Sequence, residues 1–262
     1  MVILFIWCFI KTISRYFYVS PIFLIFSLLA VLIGAFMPFL LLVGLILIHE
    51  VGHFLTAFLL GIEVDKIYLY PFGGISKFNI SFNELLWKEF LILVMGPIMQ
   101  VVGYISITHI SYFSSYFDLI RIYHYSILFF NLLPIYPLDG GKLLNLLLSY
   151  RFSFKKSFLI SIFFSYFTVF LFSVYFLYKD FSLNIIIVIS FLIYKVRSEF
   201  KQKDYMMDRF LLERYLYNFH FKRRKNISNV DDFMRNCNHL VKKNGKYYTE
   251  KAILSKKFKN KC

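Results

Sequence analysis

Apolar residues fall into long runs, separated by short polar stretches, along most of this 262-residue chain. Six segments can be drawn: Val19 to Phe36, Phe39 to Leu60, Phe90 to Ile107, one starting near Tyr123 and broken by Pro134 and Pro137, Phe158 to Leu177, and Leu183 to Tyr194. Most approach the ~20 apolar residues that a helix needs to cross a bilayer core, which reads as a polytopic membrane protein. The sixth is short for a crossing and is expected to tilt or to run on past Lys195.

The pattern changes between the second and third segments. From Ile62 to Tyr70 apolar and polar residues partly alternate, Pro71, Gly73 and Gly74 supply a turn, and "ISKFNISF" alternates again. That predicts a small β-hairpin or re-entrant loop, since non-helical backbone at membrane depth must be covered by protein or line a cavity. A plain cytoplasmic hairpin with no substrate role fits the same residues. Beyond the sixth segment, Phe200, Met207, Phe210, Leu211 and Leu216 recur at mostly helical spacing, which predicts an amphipathic helix. The rest is poor in apolar residues, and Gly245 in "KKNGKYY" suits a short hairpin. The expected fold is therefore all-α, with about six transmembrane helices, a small membrane-associated β-hairpin and a short C-terminal cytoplasmic tail. The expected divisions are a membrane domain over 1–196, an amphipathic linker helix over 197–217, and a basic tail over 218–262.

Charge orients the spans. Lys11 and Arg15 precede the first, Lys66, Lys77 and Lys88 lie between the second and third, and Arg151, Lys155 and Lys156 lie between the fourth and fifth. With six spans these all fall on one side, which places both termini in the cytoplasm. Of the net charge of +15, +12 lies between Lys195 and Cys262, where 19 Lys+Arg face 7 Asp+Glu. Beside a membrane such a tail attracts anionic lipid, and it lacks the interleaved aromatic and basic pattern of an RNA module. Cys8, Cys237 and Cys262 are scattered and suggest no disulfide framework. The apolar start "MVILFIWCFI" meets its first basic residues only afterwards, the wrong order for a signal peptide.

Inside the second apolar segment lies "LILIHEVGHFL", with His49, Glu50 and His53 as HExxH. On a helix, residues four apart share a face, so both imidazoles reach one metal ion. Glu50 projects between them, about 100° from His49 and about 60° from His53. Bound Zn²⁺ brings a water's pKa to about 7, so a carboxylate there can take its proton near neutral pH. A charged group at mid-membrane costs about 2.5–3.5 kcal/mol on insertion scales, which argues against three idle residues. A polar trio joining helices is the bland alternative.

A catalytic zinc takes three protein ligands. Depth in the membrane favours Asp139, in "FNLLPIYPLDGGKLL", over His109 and His124 near the other surface. Asp139 also fits as an N-cap for the helix after it. The Asn131 amide suits either a developing oxyanion or an interhelical hydrogen bond.

HEVGH in an early span followed by "NLLPIYPLDGG" resembles the site-2 protease family of intramembrane zinc metalloproteases, which pairs HExxH with a later N-P-D-G motif, here Asn131, Pro137, Asp139 and Gly140. "LYPFGGISKF", "LVMGPIMQ" and "RFLLERY" are similar to its sporulation branch. The resemblance implies Zn²⁺ held by His49, His53 and Asp139, with Glu50 as general base and Asn131 in the active site. It implies a substrate-gating or substrate-binding segment containing Phe72, Gly73 and Gly74, with Pro137 grouped beside it. It further implies a location in a membrane around the forespore, a sigma-factor precursor as the membrane-associated substrate, and inhibitory sporulation membrane proteins as partners; a homo-oligomer is compatible. The branch usually carries a C-terminal CBS domain that senses nucleotide, and the 47 residues after Tyr215 look like a fragment of one. Rival readings are a site-2 protease acting on an anti-sigma factor or a signal-peptide remnant, and a metal transporter, which would show polar residues along a whole path rather than at one depth.

Overall fold

The computed structural model describes residues 17–70, 73–179, 182–243 and 245–259. The chain divides into two compact units, Met1–Ile80 with Leu91–Phe130, and Ser81–Phe90 with Asn131–Cys262.

The first unit opens on a short strand β1 (Phe17–Val19) and helix α1 (Pro21–Leu32). Ser20 caps α1 by accepting the Phe23 N–H at 3.2 Å, and Pro21 starts the helix, where a missing N–H costs nothing. Gly34 takes φ +73° and ends the helix after 12 residues, roughly 18 Å at 1.5 Å per residue. The first expected span is thus too short to cross a core of roughly 30 Å by itself.

Helix α2 (Phe36–Leu59) is 24 residues long and buries Leu41, Leu45, His49, His53 and Ala57, one stripe at steps of four. Leu41 and Leu45 pack with Ile120 into an apolar cluster wrapped by Tyr104, Tyr116, Leu119 and Tyr123. After α2, β2 (Val64–Tyr70) pairs antiparallel with β3 (Gly73–Phe78), with Tyr70 opposite Gly73 and Leu69 opposite Gly74. The hairpin expectation holds here, with two corrections. Gly73 and Gly74 open β3 and do not form the turn. β1 adds a third, parallel strand along β2, with Phe17 beside Ile67. Pro71 and Phe72, like Lys11 and Arg15, lie outside the described residues. Helix α3 (Leu86–Thr108) belongs to this unit from Leu91 onward, and α4 (Phe117–Leu132) follows a 3₁₀ turn at Ser111–Tyr116.

In the second unit, α5 (Asp139–Ser149) and α6 (Phe154–Lys179) are followed by α7 (Leu183–Lys201) and α8 (Lys203–Leu216). The expected fourth span is two helices, because Pro134 and Pro137 cannot continue a helical ladder. Helix α7 runs past Lys195, as expected. The C-terminal end is a folded α/β unit: β4 (Arg223–Ile227) pairs parallel with β5 (Cys237–Lys243), β5 pairs antiparallel with β6 (Lys246–Thr249), and α9 (Glu250–Lys259) follows. Among the described residues there are two three-stranded sheets, where the expectation was all-α with two short hairpins; β5 and β6 form the second of these, with Gly245 at φ +76° between them. Phe210, Leu211, Phe233 and Leu254 are fully buried there, and the Phe154 ring stacks on Phe210 at 4.4 Å.

Among the described residues, three helices are long and apolar enough to cross a membrane: Phe36–Leu59, Leu86–Thr108 and Phe154–Lys179.

Candidate functional site

HExxH lies on the buried stripe of α2. His49, Glu50 and His53 are 2%, 7% and 4% exposed, so none of them faces lipid. The stripe is set by the 3.6-residue period: His49 and His53 continue the row of Leu41 and Leu45, and Glu50 lies beside it.

The partners of the two imidazoles come from α3. Pro97 has no N–H for the Leu93 carbonyl, and its ring opens the helical ladder at this point. The neighbouring Ile92 carbonyl accepts a hydrogen bond from His53 Nδ1 at 2.7 Å. A carbonyl only accepts, so Nδ1 carries the proton and Nε2 bears the lone pair. One turn before Gln100, Gly96 leaves room for the ring: a Cβ there would sit 2.3 Å from His53 Nε2. Gln100 is fully buried, and its Nε2 donates to the His124 carbonyl at 3.0 Å. Its Oε1 therefore faces His49 Nδ1, 3.1 Å away, and accepts that proton.

Both rings thus turn Nε2 away from these outer partners, and the two Nε2 atoms lie 3.1 Å apart. Tetrahedral zinc with Zn–N bonds of about 2.05 Å requires its two nitrogens about 3.3 Å apart. The donor set fits zinc, and the Gln100 amide and Ile92 carbonyl are the outer partners that fix tautomer and ring orientation in such sites. Sequence reasoning gave neither a role. The available signal was the amide itself, since a glutamine inside an apolar helix is uncommon.

Of the remaining expected site residues, Asp139, Asn131 and Pro137 lie in the second unit. Asp139 is 8% exposed and is the first residue of α5. The N-cap position belongs to Leu138, which makes no side-chain cap, so Asp139 is not the cap that the sequence also allowed. Asn131 is half-buried in the last turn of α4, and Pro137 is half-buried in the loop before α5. Gly73 and Gly74 are in β3, and Phe72 lies outside the described residues. Of the alternative ligands, His109 is exposed just past the end of α3 and hydrogen-bonds the Ile105 carbonyl. His124 is buried and stacks on Tyr104, centroids 4.2 Å apart. Neither joins a metal-binding group among the described residues.

An HExxH helix whose imidazoles converge inside a span-length apolar helix defines a membrane metallohydrolase. The family model "Peptidase family M50" matches residues 37–116 and 102–174, and this chain belongs to peptidase family M50. It is 32% identical over 207 residues to stage IV sporulation protein FB of Bacillus subtilis (strain 168), covering 76% of this chain and 70% of that protein. It is also 32% identical over 130 residues to a zinc metalloprotease of Methanocaldococcus jannaschii, 45% of this chain and 36% of that one. The solved site-2 protease from the same archaeon matches in fold with a TM-score of 0.54 at 24% identity, over 70% of this chain and 89% of that chain. The protein is an integral membrane metalloendopeptidase, and zinc is its metal.

Proposed function

We propose that this peptidase removes the pro-segment of a sporulation sigma-factor precursor at the surface of a forespore-surrounding membrane, with zinc held by His49, His53 and Asp139. The observation that carries the site lies within α2: the Nε2 atoms of His49 and His53 are 3.1 Å apart, a spacing that zinc fits. What supports the substrate is the 207-residue similarity to stage IV sporulation protein FB. The same likeness supports a six-span topology with cytoplasmic termini, held inactive by other sporulation membrane proteins until needed.

When bound, zinc polarises the scissile carbonyl and brings the attacking water's pKa to about 7. The work of the chain's own residues follows from their chemistry. Glu50 takes the proton of the attacking water and returns it to the leaving amine. The Asn131 amide donates to the oxyanion that develops on the carbonyl. Helical hydrogen bonds shield a substrate's carbonyls, so the cleaved segment must be extended. β3, opening at Gly73 and Gly74, positions or gates it, and Pro137 holds the connection ahead of Asp139. The basic C-terminal residues keep the region beside anionic lipid.

The test is co-expression with a tagged sigma-factor precursor in a non-sporulating bacterial host. Wild type is expected to shorten the precursor on a gel, and Glu50→Gln to cut cleavage by about 10²–10⁴-fold while keeping its zinc. Full activity in Glu50→Gln with zinc retained overturns the general-base role. An uncut precursor beside folded, zinc-loaded wild type moves the substrate to another membrane protein.

A further inference from the structure

We propose that Ser165, on α6, is a positioning residue for Asp139: its hydroxyl holds the peptide on which the Asp139 turn is built. The inference rests on the reading of Asp139 as a zinc ligand. The link between α4 and α5 runs from Leu133 to Leu138 and contains two prolines, so it has few N–H groups with which to brace itself. Ile135 N–H bonds the Leu133 carbonyl at 2.7 Å, and Leu138 N–H bonds the Ile135 carbonyl at 2.8 Å. The Tyr136 N–H turns instead to α6 and donates to Ser165 Oγ at 2.8 Å. Ser165 spends its own proton on the Ser161 carbonyl, 2.7 Å away, which leaves its oxygen as the acceptor. Ser165 is fully enclosed, so water has no room to take its place.

The same Ile135–Tyr136 peptide is met by the first turn of α5. A Cβ added to Gly141 would lie 2.4 Å from Ile135 C and from Tyr136 N, so bare glycine lets that turn rest directly on the peptide. Asp139 is two residues before Gly141, inside this turn. A peptide released from Ser165 carries the turn with it, and a ligand displaced by a fraction of an ångström binds metal less well. Ser161 is the internal control. It is equally enclosed, one turn earlier on the same helix, but donates only within its own helix, to the Ser157 carbonyl at 2.8 Å.

The experiment uses the full chain purified in detergent, stripped of metal and titrated with Zn²⁺ against a chromophoric chelator. Ser165→Ala is expected to weaken zinc binding about tenfold, within the range for groups that orient ligands from outside. Ser165→Thr, which keeps the hydroxyl, is expected to restore it, and Ser161→Ala to match wild type. Gly141→Ala pushes on the same peptide from α5 and is expected to weaken zinc as well. Wild-type affinity in both Ser165→Ala and Gly141→Ala overturns the proposal, as does an equal loss in Ser161→Ala, which would trace the effect to helix packing in general. Asp139→Asn separates the two layers. If it binds zinc as wild type does, the ligand reading falls and this inference falls with it. If it loses zinc while Ser165→Ala does not, the positioning role alone is refuted.

Discussion

Two buried polar clusters, one in each compact unit, are built from similar residues and turn their histidines to different ends. In the C-terminal cluster Arg214 and His239 are held by acceptors from several segments. Arg214 Nε donates to Asn83 Oδ1 at 2.6 Å, its Nη1 to the Cys237 carbonyl at 2.8 Å and to Glu250 at 3.0 Å, and its Nη2 to the Met234 carbonyl at 2.7 Å. His239 Nε2 accepts the Met234 N–H at 3.1 Å, so Nδ1 carries the proton and donates to Glu250 at 2.8 Å. In the membrane cluster the outer nitrogens of His49 and His53 are matched in the same way, and the two inner Nε2 atoms meet each other at 3.1 Å. The first arrangement ties protein groups to one another and serves as structure. The second brings two imidazole nitrogens together at a spacing that zinc fits. A buried histidine is therefore told from a ligand by where its second nitrogen points, and burial alone does not decide it.

The largest test of this contrast removes one inner nitrogen. His53→Ala is expected to abolish zinc binding, read as metal content by mass spectrometry, with proteolysis lost in parallel. The same metal content in the variant would mean that the pair is structural after all. Next in size is Arg214→Met. It strands Glu250 and Asn83 in a buried site and is expected to cost about 3–5 kcal/mol of stability in the C-terminal unit. Tryptic cleavage beyond Leu216 should rise, and zinc content should stay at the wild-type level. Loss of zinc instead would merge the two clusters into one functional device.

Gln100→Leu lies between the two cases, because it removes an outer partner and leaves both ligands. Zinc affinity is expected to fall about 10–100-fold in chelator competition. An unchanged affinity would show that helix packing, without the amide, fixes the His49 ring.

The smallest effect is that of pH on the complete cluster. Burial lowers the His239 pKa below its ordinary 6.5, and an Nε2 that already accepts an N–H has no place for a second proton. The unfolded chain therefore binds this proton first, and the stability His239 contributes is full above pH 6.5 and lost as pH falls through the folded value. Burial pulls the Glu250 pKa up, but the His239 hydrogen bond and the Arg214 charge outweigh it and hold it below 4.5. Its contribution is present above pH 4.5 and is lost on further acidification. Protease resistance of the C-terminal unit should thus be level above neutrality and fall in two acid steps. Resistance that rises on acidification would contradict the assigned proton positions.

What was legible in the sequence was whatever depends on local periodicity. HExxH at helical spacing placed His49, Glu50 and His53 on one buried face, because side chains four apart share a side of any α-helix. Pro134 and Pro137 announced a break before Asp139, because proline denies the ladder an N–H. Tertiary structure alone decided what arises between distant segments. Gln100 reaches His49 across 51 residues, and no local pattern encodes which carbonyl or amide will face an imidazole. The third strand along β2 comes from residues far earlier in the chain, and in the C-terminal sheet the β5–β6 hairpin was legible from Gly245 while β4, short and polar, gave no sign that it would pair with β5. Sequence determined which side chains could bind a metal. Packing between helices decided the protonation of each ring, and with it which nitrogens remain to hold the ion.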